Sequence, residues 1–137
     1  MNAKTFRSWA KAAFFAYIAL VLFLCFWNFP DSQDVPKSML GIPVDKILHF
    51  CMFLPFPVLA WLGFDRHTEK AWQSVLAVAV TFGAGLLLAA LTEFGQSLTD
   101  YRSGDPTDLA ADTLGLAAGS LGVLCHDIWK QRKKPSR

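Results

Sequence analysis

The stretch that decides the fold is AWQSVLAVAVTFGAGLLLAAL, residues 71–91, followed within a few positions by Glu93, Gln96, Arg102, Asp105 and Asp108. At about 1.5 Å per residue, a helix of roughly 20 such residues spans a hydrocarbon core about 30 Å thick. A soluble core helix of that length would show a polar face every few residues, and this one shows none. Three further stretches read the same way, at 12–29, 47–64 and 109–125, and the four together contain a single formal charge, Asp112. The chain is therefore expected to be an all-α membrane protein, a bundle of four transmembrane helices in one domain over 1–137.

Composition supports this reading. Of the 137 residues, 53% are hydrophobic and 18% charged, against roughly 45–50% apolar and roughly 25% charged in soluble domains. The N-terminus also resembles a secretory leader, since Lys4, Arg7 and Lys11 precede an apolar run. The residues that follow, Trp27-Asn28-Phe29-Pro30, lack the small pairs a signal peptidase needs, so a retained anchor is expected. Cys25, Cys51 and Cys125 each fall inside a span with no metal-type spacing, and read as small apolar residues.

Lys and Arg give the orientation. Ten lie on the side of the two termini and of the loop with Arg66 and Lys70, and three, Lys37, Lys46 and Arg102, lie on the other. Positive residues stay inside, so both termini are expected in the cytoplasm and the segments 30–45 and 92–108 outside. Trp9, Trp27, Trp61, Trp72 and Trp129 fall at or near span ends, where an amphipathic ring prefers to sit. The basic tail after Lys130 reads as an orientation signal, with anionic lipid as the alternative partner. Nothing points to nucleic acid. The expected location is a multi-pass position in a cell membrane.

Helices in lipid associate where small residues let their backbones approach. The third span has such a stripe in Ala77, Thr81, Gly85 and Ala89, and one more turn reaches Glu93. The fourth has Gly115, Gly119 and Gly122, and stepping back from Gly115 gives Asp112 and Asp108. The carboxylates thus lie on faces expected to touch other helices, where a charge near the membrane has to be. Pro55 and Pro57 should kink or locally unwind the second span. The short connection at 65–70 should make spans two and three neighbours.

The polar residues then converge. Asp45, Lys46 and His49 open the second span, while Glu93, Gln96, Arg102, Asp105, Asp108 and Asp112 link the third to the fourth. Some have structural readings. Asp105-Pro106 looks like a cap with proline in the first turn and Asp108 three positions on, and Asp45 reads as a cap of the second helix. His49, Glu93 and Asp112 are harder to explain structurally, being ionisable groups at or inside apolar helices. The five carboxylates outweigh Lys46 and Arg102 by three charges. Such a cluster should keep a carboxyl protonated, protonate His49 or bind a cation. One imidazole with several carboxylates suits a divalent metal, although the spacing matches no standard metal motif.

The order Asp45-Lys46-x-x-His49, Glu93-x-x-Gln96, Arg102, Asp108-x-x-x-Asp112-x-x-Gly115-x-x-x-Gly119 resembles the VanZ-like family of small bacterial integral membrane proteins. The resemblance runs from about Asp45 to Gly119. Where the family usually has Asn, this chain has Asp112. A bacterial envelope location is implied, in the inner membrane. The family takes its name from a protein linked to low-level teicoplanin resistance, so a relation to glycopeptide susceptibility is implied too, though fold and motif do not by themselves transfer a phenotype.

Two functions are expected from these residues. In the first, the outward cluster Asp45, Lys46, His49, Glu93, Gln96, Arg102, Asp108 and Asp112 holds or modulates a lipid-linked cell-wall precursor or another membrane lipid. In the second, the protein is a small membrane hydrolase or transferase acting on a lipid-linked substrate, with His49, Glu93 and Asp112 as candidate catalytic groups. A third possibility is a network that only locks the spans together. The sequence names no cofactor.

Overall fold

The computed structural model describes residues 2–27, 38–39, 41–64, 68, 70–100 and 104–133. Among these, helix α1 (Ala3–Phe26) is followed by a minimal hairpin of β1 (Ser38–Met39) and β2 (Ile42–Pro43), then α2 (Val44–Phe53), α3 (Pro55–Phe64), α4 (Ala71–Ser97) and α5 (Pro106–Arg132). The strands pair antiparallel, Ser38 opposite Pro43 and Met39 opposite Ile42. Gly41 sits between them at φ +79°, a left-handed conformation that costs glycine little.

Taking α2 and α3 as one broken span, four helices among the described residues are long and apolar enough to cross a membrane: Ala3–Phe26, Val44–Phe64, Ala71–Ser97 and Pro106–Arg132. They differ from the expected ends because hydropathy sees only the apolar part of a helix. Hydrogen bonding carries α1 back through Arg7 and Lys4 to an Asn2 cap, whose side chain accepts from Lys4 N at 3.3 Å. It likewise carries α5 on through Lys130 and Arg132. At its other end α1 stops at Phe26, with Trp27 N–H bonded to Phe23 O, short of the expected residue 29.

The break in the second span falls at Leu54, immediately before Pro55, as the two prolines require. Tyr17 of α1 donates its hydroxyl to the Met52 carbonyl just before the break. Phe14, Val21, Cys25, Phe53, Phe56, Ala60, Ala89 and Leu116 form the buried core.

Helix α5 is the hub, packing against α2, α3 and α4, while α1 leans on α3; α3 and α4 touch more lightly. Its buried residues include Asp108, Asp112, Gly115, Gly119, Val123 and Asp127, one continuous stripe at spacings of three and four. A Cβ at Gly115 would strike the Phe50 carbonyl oxygen, and one at Gly119 the Leu54 carbonyl oxygen. Here the helices meet backbone to backbone. In α4, a Cβ at Gly85 would lie 2.5 Å from Leu116 Cδ2. Gly122 departs from expectation: it is exposed, with nothing within 4 Å of a Cβ there, because the stripe continues through Val123 instead.

Candidate functional site

The first turns of α2 and α5 and the last turns of α4 bring the charged residues to one end of the bundle. At the start of α5, Asp105 is the N-cap, its carboxylate accepting from Thr107 N at 2.9 Å, with Pro106 next. The Asp105 N–H donates to Glu93 Oε1, which ties the end of α4 to the start of α5. Lys46, in the first turn of α2, donates to Asp105 Oδ2 at 2.7 Å and to Asp108 Oδ1. The ammonium beside it, with the Thr107 donors, holds the Asp105 carboxyl well below the usual carboxylate range.

One turn deeper, His49 Nδ1 lies 2.9 Å from Asp112 Oδ1, inside the bundle. His49 is 4% exposed and Asp112 1%, so this pair is shut off from solvent. The other ring nitrogen, Nε2, faces Asp108 Oδ2 at 3.7 Å and Asp45 Oδ1 at 4.0 Å. Asp45 sits half in solvent, its side chain 48% exposed, with Oδ2 3.7 Å from Lys46 Nζ. The cluster therefore has a buried floor of His49 and Asp112, and a mouth at Asp45 and Asp105.

Several expected roles change. The cap of α2 is Pro43, with no side-chain cap bond, so Asp45 is not a cap but a first-turn residue turned toward His49 and Lys46. Asp108 directs its carboxylate at Lys46 and His49. Gln96, expected beside Glu93 in the cluster, donates to the Cys25 carbonyl at 2.9 Å and so ties α4 to α1. Gly115 brings α5 against the end of the helix that carries Lys46 and His49, and Gly119 brings it against the break at Leu54 and Pro57. Arg102 lies outside the described residues.

A second buried polar group was not anticipated. At the opposite end, Asp127 accepts from Trp61 Nε1 at 3.0 Å and from Thr68 Oγ1 at 3.4 Å, while Ser74 and Gln131 complete the network at 2.8 Å. Two more four-residue steps from Gly119 along the stripe reach Asp127, so the spacing held the signal. A cavity of about 580 Å³ opens near this end, lined mainly by apolar residues including Phe14, Trp61, Trp72 and Val80, with Asp127. None of the residues of the charged cluster lines it, so the cavity lies apart from that cluster.

Comparison with known proteins gives one family and one relative. The family model described as VanZ/LLP1 matches residues 3–129. An uncharacterized protein of Schizosaccharomyces pombe (strain 972) is 29% identical over 117 residues, covering 85% of this chain. The chain spans 64% of that relative's length. No solved structure matches.

Proposed function

Because this chain belongs to the VanZ/LLP1 family and carries four helices fit to cross a membrane, we propose that it holds a lipid-linked envelope component at the charged end of its bundle. It acts in the inner membrane of a bacterial cell, with both termini in the cytoplasm and the cluster facing outward. The ten-to-three split of Lys and Arg supports that orientation. One observation carries the reading: three spans deliver ionisable side chains to a single end, buried at His49, Asp108 and Asp112 and open at Asp45 and Asp105.

An amphiphile lying at the interface presents its head group to that mouth while its chains stay in lipid. The sequence supplies a further cation, Arg102, between the end of α4 and the start of α5. Native mass spectra of protein in mild detergent, mixed with phosphatidylglycerol and phosphatidylcholine, test this. Wild type should retain the anionic lipid preferentially, Arg102→Lys should keep part of that preference, and Arg102→Ala should lose it. Equal retention by wild type and a folded Arg102→Ala removes the reading. Changed glycopeptide susceptibility in a strain lacking the protein is the expected cellular consequence where the retained lipid carries a cell-wall precursor.

The His49–Asp112 pair favours a second reading. A carboxylate at Nδ1 fixes the imidazole tautomer and leaves Nε2 as a base pointing at the mouth. That arrangement suits a hydrolase or transferase acting on a lipid-linked substrate. It predicts turnover that His49→Gln abolishes with folding intact; turnover retained in that variant rules out His49 as the base.

A further inference from the structure

Among the described residues, the charged end sets Asp45, Glu93, Asp105, Asp108 and Asp112 against Lys46 as the fixed cation. Lys46 is already engaged by Asp105 and Asp108. An anionic head group approaching this mouth meets an excess of negative charge. The geometry points to what offsets it. Asp45 and Asp108 each turn one oxygen toward Lys46 and the other toward His49 Nε2. That nitrogen belongs to a side chain 4% exposed and makes no hydrogen bond among the described residues. One donor atom from each of Asp45, His49 and Asp108 lies within 4.8 Å of the others.

We propose that Asp45, His49 and Asp108 form a binding site for a divalent cation of the Mn²⁺ or Zn²⁺ class. A metal held about 2.0–2.2 Å from nitrogen and oxygen donors places those donors about 3–3.5 Å apart. The observed 3.7 Å and 4.0 Å from Nε2 need only a small inward turn of two carboxylates, one of them half in solvent. Asp112 supplies the outer partner such an imidazole normally has, a carboxylate on the nitrogen that does not bind metal. One imidazole and two carboxylates suit Mn²⁺ and Zn²⁺.

The role of the ion rests on the lipid-binding reading above, whereas the site itself is measurable without lipid. Chelator-stripped full-length protein in detergent is titrated with Mn²⁺, and free Mn²⁺ is followed by electron paramagnetic resonance. One saturable equivalent is expected, competed by Zn²⁺. Affinity should fall by about tenfold or more in Asp45→Asn, whose half-exposed side chain makes misfolding a poor explanation, and also in His49→Gln. Asp127→Asn, at the far end of α5, should bind as wild type does. No saturable Mn²⁺ binding overturns the proposal, and so does unchanged affinity in Asp45→Asn. Repeating the phosphatidylglycerol retention with and without Mn²⁺ separates the two ideas. Metal binding with no effect on lipid retention sinks the head-group role and keeps the cation site.

Discussion

At the residue scale, the cluster's behaviour follows from how each carboxylate is satisfied. Asp112 serves mainly as an acceptor for the buried His49 Nδ1. Asp112→Asn keeps an oxygen at that place, so its thermal midpoint should stay close to wild type. Asp112→Leu strands the imidazole donor in the bundle and should cost about 1–3 kcal/mol, read from detergent unfolding curves. Asp105 gives a pH dependence with a definite sign. Its depressed carboxyl contributes stability that is complete above the ordinary carboxylate value of about 3.9 and is lost as pH falls toward the folded-state value. Thermal midpoints from pH 8 down to pH 3 should therefore fall only at the acid end, and Asp105→Asn should flatten that limb. Convergence of Asp45, His49, Asp108 and Asp112 was legible because three- and four-residue spacing fixes which side of a helix a residue occupies. The target of Gln96 was not, because spacing within α4 says nothing of a carbonyl on α1.

At the scale of elements, helix ends and contacts divide what sequence carries from what it does not. Hydropathy located every span, yet hydrogen bonding extends α4 to Ser97 and α5 to Arg132, well past the apolar residues. The prolines located the break in the second span, since they remove backbone donors at known positions. Along the glycine stripe, Gly115 and Gly119 sit against main-chain oxygens, whereas the three-residue step to Gly122 leads off the packed face that Val123 and Asp127 continue. The consequence is measurable. Gly115→Ala and Gly119→Ala place a methyl group against a main-chain oxygen that has little room to yield, and each should destabilise by about 1–3 kcal/mol. Gly122→Ala meets nothing, and should be neutral or stabilising by up to about 1 kcal/mol from helix propensity. Comparable losses at all three positions would contradict the described contact between α5 and the second span.

At the scale of the whole molecule, α5 carries one polar network at each end, Asp108 and Asp112 at one and Asp127 at the other, about five turns apart along a helix at 3.6 residues per turn. An even number of crossings returns both termini to one side. Reporter fusions at the N-terminus and after residue 137 should both read cytoplasmic, and a tag inserted between residues 30 and 37 should be accessible from outside. Fusions reading on opposite sides would require an odd number of crossings. The Lys and Arg distribution is what supports that orientation, whereas the hub position of α5 had no signal in the sequence, since four apolar stretches of similar length do not say which is central. The contact at Gly115 and Gly119 carries a last consequence. Two main-chain oxygens of the second span seat against α5 like teeth in a rack, so the register of these helices is indexed by the chain itself as well as by the charges above it. Residues at the charged end can therefore change while the backbone contact below them still indexes the two helices.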